Sequence, residues 1–149
     1  MSGSTVRAGE AAGAGGIVVE GVDDGDHLAE DKWGLTRSET LIVNTKSRFR
    51  DKFILLLRHR PVVEIGTEGF FDLQLSGHAH GGQVFPMFSS RLFVRGHSRG
   101  LKKLKRGSLL YTSNGAGYVG PPVRLLAPPE VGVMSLVRKE GAPRAASAR

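Results

Sequence analysis

Asp72-Leu73-Gln74-Leu75-Ser76-Gly77-His78-Ala79-His80-Gly81-Gly82-Gln83 is the stretch that decides the fold. Leu73 and Leu75 alternate with polar neighbours, the period-two signature of a strand. That strand, over 73–76, runs directly into two histidines set among glycines. Residues two apart in an extended chain share a side, with Cα atoms roughly 6–7 Å apart. His78 and His80 are therefore expected to face one metal centre, in which the ions of a two-metal hydrolase lie about 3.5–4 Å apart. The glycines let the backbone turn sharply and approach closely. A bare His-x-His also fits two half-buried structural histidines, so the neighbouring sequence has to decide.

Upstream lies Phe53-Ile54-Leu55-Leu56-Leu57-Arg58-His59-Arg60-Pro61. Its five-residue apolar run reads as a buried strand over 53–57, which Pro61 prevents from continuing. His59 thus follows one short apolar strand, and the His78/His80 pair follows another. In open α/β sheets, binding groups gather at the carboxyl ends of strands.

The spacing of these segments resembles the calcineurin-like metallophosphoesterases, in particular the bacterial predicted phosphohydrolases. Those carry Leu-x-His-x-Pro, matched here by Leu57-Arg58-His59-Arg60-Pro61. They carry Asp-Leu-x-Leu-Ser-Gly-His-x-His-Gly-Gly-Gln, matched by residues 72–83. They also carry Gly-x-Gly…Pro-Pro-x-Arg…Pro-Pro-Glu, matched by Gly115-Ala116-Gly117, Pro121-Pro122-Val123-Arg124 and Pro128-Pro129-Glu130. The resemblance runs over roughly residues 5–137 and implies the C-terminal half of such a domain. Its implied fold is α/β: a partial metallophosphoesterase sandwich, a mixed sheet with flanking helices, whose N-terminal half is missing. The implied domain layout is a flexible end over 1–16, the phosphoesterase part over 17–137, and a flexible basic tail over 138–149.

The resemblance also implies roles. His59 and His78 would bind one metal and His80 the other, as part of a centre of two divalent ions, with Mn, Fe or Zn as candidates. Asp72, Gly77, Gln83 and Arg124 are candidates for supporting the ligands or binding phosphate. The other ligands of such enzymes come from an Asp-x-His, a Gly-Asp with a bridging carboxylate, and a Gly-Asn-His. This chain lacks them as a set, so it is expected to begin after them and to hold no catalytic acid or base of its own. Histidines alone leave two dications without an anionic bridge to offset their repulsion. The nearest acidic cluster, Asp23-Asp24-Gly25-Asp26-His27, would have to fold back to serve; a polar turn is its other reading. Arg58 and Arg60 beside His59 are expected to oppose a bare cation. Three histidines alone could hold a single transition ion.

Composition bounds the alternatives. The 149 residues carry a net charge of +7. Residues 73–129 hold eight Lys and Arg and no carboxylate, so the excess is concentrated there. Such a surface steers a phosphorylated small molecule, lipid or protein substrate. It also fits nucleic acid or anionic lipid through Arg99-Gly100-Leu101-Lys102-Lys103-Leu104-Lys105-Arg106, although that run has no aromatic on which a base would stack. A catalytically inactive remnant or a basic anion-binding protein is therefore the alternative to a phosphohydrolase. The absence of cysteine excludes disulfides and Cys-type zinc sites and suits a reducing cytoplasm. No run reaches the ~18 apolar residues of a membrane span, and full-length relatives are expected to carry any anchor in an N-terminal segment.

Further elements follow from pattern. A strand is expected over 17–22, and a helix over 38–49 capped by Ser38 with Leu41 and Ile42 on its buried face. More strands are expected over 109–112 and 131–137, and a possible hairpin around 92–94. One face of the sheet is left without a covering layer, so self-association through that face is expected. Arg124 is expected to pair with Glu130 or Asp72, Asp72 either to orient a histidine or to begin a strand, and Gln83 to brace the histidine loop.

Overall fold

The structure, a computed structural model, describes residues 11–14, 16–22, 37–64, 66–84 and 97–137. The acidic cluster at 23–27, the hairpin expected around 92–94, and residues 1–10 and 138–149 lie outside the described residues.

Among the described residues six strands form one sheet: β1 (Ala11–Ala14), β2 (Ile17–Val22), β3 (Phe53–Arg58), β4 (Leu73–Ser76), β5 (Gly100–Lys103) and β6 (Leu109–Thr112), in the order β1-β2-β3-β4-β6-β5. The inner four, β2, β3, β4 and β6, run parallel, and β1 and β5 close the edges antiparallel. The architecture is mixed α/β, in keeping with part of a calcineurin-like phosphoesterase sheet. Ala11–Ala14, read from composition as part of a flexible end, pairs with β2 as an edge strand.

Register decides which face is covered. Val18 pairs with Ile54, Leu56 with Gln74, and Ser76 with Thr112. Even-numbered positions therefore line one face, and Val18, Val22, Ile54, Leu56 and Leu110 are buried there. The helix α1 (Arg37–Arg48) connects β2 to β3 and covers this side. Ser38, Ile42 and Thr45 are its buried residues, spaced as one helical stripe. Glu39 in its first turn and Lys46 and Arg48 in its last favour the helix dipole. Ser38, expected to cap, instead lies inside the first turn with its hydroxyl buried and unpartnered among the described residues.

Polar residues interrupt the apolar face, Gln74 and Glu20 among them. Gln74 donates to the carbonyls of Arg60 and Val62 at 3.4 and 3.2 Å and to the Ser76 hydroxyl at 2.9 Å. Those bonds fasten the loop after β3 onto β4. Glu20 is fully buried, and burial pushes its carboxyl up to about 7, the Thr45 hydroxyl pulling the other way.

The opposite face is less covered, with Ile17 and Leu57 over a third exposed. The strand expected over 131–137 is corrected. The segment is irregular, and Val131, Val133 and Val137 are 83%, 93% and 88% exposed. It pairs with neither edge strand, β1 nor β5, and so gains no ladder hydrogen bonds.

Candidate metal centre

Parallel strands deliver their carboxyl ends to one edge, and the site is built there. His59 directly follows β3, and the Gly77 amide donates to the His59 carbonyl at 3.0 Å. That bond extends the β3–β4 pairing by one step and sets His78 beside His59. Their rings meet edge to face with centroids 4.8 Å apart, and His78 Nδ1 lies 2.9 Å from His59 Nε2. The distance is that of a hydrogen bond in which one ring donates and the other accepts, the tautomers deciding which.

The loop that follows is not extended. His78, His80 and Gln83 have φ of 64°, 47° and 32°, the left-handed region, together with Gly81 and Gly82. Each non-glycine residue there costs about 1–2 kcal/mol. The tight turn Ala79 N–H to Gly77, Gly82 N–H to Ala79 and Gln83 N–H to His80 makes the coil. The expectation that His78 and His80 share one side assumed an extended chain and is corrected in that respect: the chain is coiled here, and among the described residues His80 forms no three-residue metal group with the pair.

Two side chains hold this strained loop. Gln83 braces it with a two-point bond to Val119, donating to the carbonyl at 2.8 Å and accepting from the amide at 2.7 Å. Arg124 pairs with neither Glu130 nor Asp72. Its guanidinium donates to the carbonyls of Ala127, Asn114 and Gly115 at 3.0–3.1 Å, to Gly117 and, at 3.4 Å, to His80. It also faces His80 Nδ1 at 3.3 Å. The 114–117 turn therefore presents carbonyls to a cation rather than amides to a phosphate, and Arg124 is a clamp of the loop rather than a free phosphate ligand. Glu130 accepts instead from the Tyr111 hydroxyl, which raises the pKa of that phenol.

Other sequence candidates fall elsewhere. Asp72 sits at the amino end of β4, accepting from the Ile54 amide at 2.7 Å with Lys46 Nζ 3.9 Å away. It fixes the β3–β4 register at the edge opposite the histidines and orients neither ring. Arg58 is turned into the covered face, where it forms an ion pair with Glu64 and donates to the Val62 carbonyl. Its charge is thereby neutralised, and the repulsion expected from it at His59 is removed. Asn114 is the site residue that sequence reasoning missed. It is buried two residues beyond β6, its Oδ1 unpartnered among the described residues and pressed against Gly81.

The fit to a metal is partial. Two donors on one ion at ~2.0–2.1 Å lie about 2.9–3.4 Å apart for bond angles near 90–109°, and the His59–His78 spacing falls in that interval. No cluster of three His, Cys, Asp or Glu occurs among the described residues. The His59–His78 spacing is thus that of two donors on one ion, and His80 stands beside Arg124.

Relatives of the chain bear on its family. It is 33% identical over 124 residues to an uncharacterized metallophosphoesterase of Aquifex aeolicus, covering 83% of this chain and 46% of that protein. It is 40% identical over 90 residues to one of Campylobacter jejuni, 60% of this chain and 24% of the relative. A transmembrane protein with metallophosphoesterase domain of Danio rerio is 31% identical over 81 residues, 52% of this chain and 18% of the relative. The chain therefore spans less than half the length of each of these relatives. No helix among the described residues is long and apolar enough to cross a membrane. No family model and no solved structure matches. Three motifs in order, two histidines converging at the carboxyl edge of a parallel sheet, and relatives carrying one shared name lead to one conclusion: the chain belongs to the metallophosphoesterase family, whose chemistry rests on divalent metal ions.

Proposed function

We propose that this chain forms the part of a phosphohydrolase domain that supplies His59 and His78 as ligands to one divalent ion, serving hydrolysis of phosphate mono- or diesters. The 2.9 Å approach of His78 Nδ1 to His59 Nε2 carries this reading. A metal would take the place of the hydrogen between the rings, which moves to the far nitrogen of its own ring in a neutral pair and leaves to solvent from a protonated one. The bonds of Gln74 and Ser76 to the Arg60 carbonyl keep the His59 loop in place, so the pair is organised before an ion arrives. Bound ions of Mn, Fe or Zn type polarise phosphoryl oxygens and lower the pKa of a coordinated water. The acid-free basic segment favours an anionic substrate, whether a phosphorylated small molecule, lipid or protein.

A second reading rests on the absence of a three-ligand cluster among the described residues. In it the chain binds anions through its basic edge and does no chemistry. Lys102, Lys103, Lys105 and Arg106 are exposed there.

Manganese titration by calorimetry together with cleavage of bis(p-nitrophenyl) phosphate separates the two readings. The first expects His78→Ala to weaken Mn²⁺ at least tenfold and to abolish metal-dependent cleavage, while retention on a heparin column stays unchanged. Metal affinity and cleavage indifferent to His78→Ala would leave the anion-binding reading.

A further inference from the structure

We propose that the loop over 118–126 and the basic edge strand β5 beside it form one docking surface for a bilayer of anionic phospholipid. The surface is made of exposed residues that the metal centre does not use, so it stands apart from the phosphohydrolase reading.

From Tyr118 to Leu126 the sequence has one charged residue, Arg124. Its guanidinium is turned inward onto the carbonyls of Asn114, Gly115, Gly117 and Ala127. What the loop shows to solvent is Tyr118, Val119, Val123, Leu125 and Leu126, all more than half exposed. Pro121 and Pro122 stiffen it, and the two-point bond of Gln83 to Val119 holds it in this form. Leu126 is the sharpest case. It has φ of 57°, where an L side chain crowds its own backbone, and it is 68% exposed. Neither backbone preference nor core packing favours a leucine there. Strain held in this way points to a role outside the fold.

Charge selects the occupant. Arg99, one residue before β5, donates to the Leu126 carbonyl at 3.4 Å, so the basic edge abuts the loop. β5 is an edge of the sheet, and Leu101, Lys102 and Lys103 within it and Lys105 and Arg106 after it are exposed. No carboxylate occurs between Asp72 and Glu130. An anionic headgroup layer thus meets cations and no opposing charge, while the aliphatic side chains of the loop reach the acyl boundary. Tyr118 suits the aromatic preference of that interface. A polynucleotide would use the lysines but leave Leu125 and Leu126 in water, and the basic run over 99–106 has no aromatic on which a base would stack. A second copy would bring like charges together at this edge.

The test uses the full chain and flotation with vesicles, in which bound protein rises and aggregated protein does not. The vesicles are phosphatidylcholine alone, or phosphatidylcholine with an equal part of phosphatidylglycerol. The parent should float with the anionic vesicles and not with the neutral ones. Lys102→Gln and Lys103→Gln together should weaken binding about thirtyfold, at about fivefold per lysine near the surface. Leu126→Asn should weaken it at least about fivefold and raise Tm, because asparagine tolerates positive φ; the rise in Tm separates lost docking from lost folding. His78→Ala should bind vesicles as the parent does, so failure of the metal reading leaves this result untouched. No flotation of the parent, equal flotation with neutral vesicles, or undiminished binding by Leu126→Asn would each overturn the proposal. Undiminished binding by Leu126→Asn together with displacement from the vesicles by single-stranded DNA would assign the edge to nucleic acid instead. A parent that does not float, is dimeric in size-exclusion chromatography and becomes monomeric as Leu126→Asn would assign the loop to a second copy.

Discussion

Gly81→Ala probes how tightly the histidine loop is built. Gly81 has φ of 63°, and a Cβ placed on it lies 2.5 Å from Asn114 Oδ1 and 2.9 Å from Asn114 Cγ. Two costs follow. An alanine in the left-handed region costs about 1–2 kcal/mol, and forcing the buried amide of Asn114 aside costs about 1–3 kcal/mol, the usual range for overpacking. Together they predict a loss of about 2–5 kcal/mol. The two are separable. With Asn114 cut back to alanine, the nearest remaining atom is Ala127 Cβ at 3.5 Å, an ordinary contact. Gly81→Ala in the Asn114→Ala background should therefore cost only the backbone share, about 1–2 kcal/mol. Urea unfolding of the parent, both single variants and the double variant gives the coupling, expected at about 1–3 kcal/mol in the sense of relief. A single-variant cost below about 0.5 kcal/mol, or additivity within that margin, would refute the close packing of loop against turn.

Other consequences are as direct. Glu20 titrates near 7 in the fold and near 4.5 unfolded, so the folded state binds more protons between those values and stability falls as pH rises from about 4.5 to 7. The full swing is about 3 kcal/mol at ~1.4 kcal/mol per unit. Glu20→Gln should flatten that slope in thermal melts and raise Tm at pH 8, and an unchanged slope would contradict it. Gln83→Ala removes both bonds to Val119 and should cost about 1–3 kcal/mol at 0.5–1.5 each; hydrogen exchange should accelerate at the Val119 amide before it does in β4. Asp72→Ala removes the acceptor of the Ile54 amide and should cost about 1–3 kcal/mol while leaving Mn²⁺ affinity unchanged, because Asp72 lies at the opposite sheet edge.

Much of the fold is legible in pattern. The strand at 73–76 ends where alternation places it, the expected helix over 38–49 is displaced by one residue to Arg37–Arg48, and β3 continues one residue past its apolar run to Arg58. Arg58 continues the strand because Glu64 neutralises it within the covered face, a partner six residues away that no local pattern reveals. The strand expected over 131–137 failed for the converse reason. Alternation describes a chain that can pair, and 131–137 pairs with no strand, leaving Val131, Val133 and Val137 exposed.

The site is legible to a lesser degree. His59 and His78 were readable as residues following apolar strands, and parallel pairing brings them together. The coiling of the chain at His80 was not readable, because it depends on three non-glycine residues at positive φ and on an arginine 44 positions later. Asn114 and Gly81 carry a signal only as a pair, a glycine against an amide across two loops.

X-ray absorption on the chain loaded with one equivalent of Zn²⁺ tests the central claim most directly, since imidazole scattering counts the histidines on the ion. The account predicts two imidazoles per ion at ~2.0–2.1 Å, falling to one in His78→Ala. A first shell of oxygens alone, or an unchanged count in His78→Ala, would contradict it.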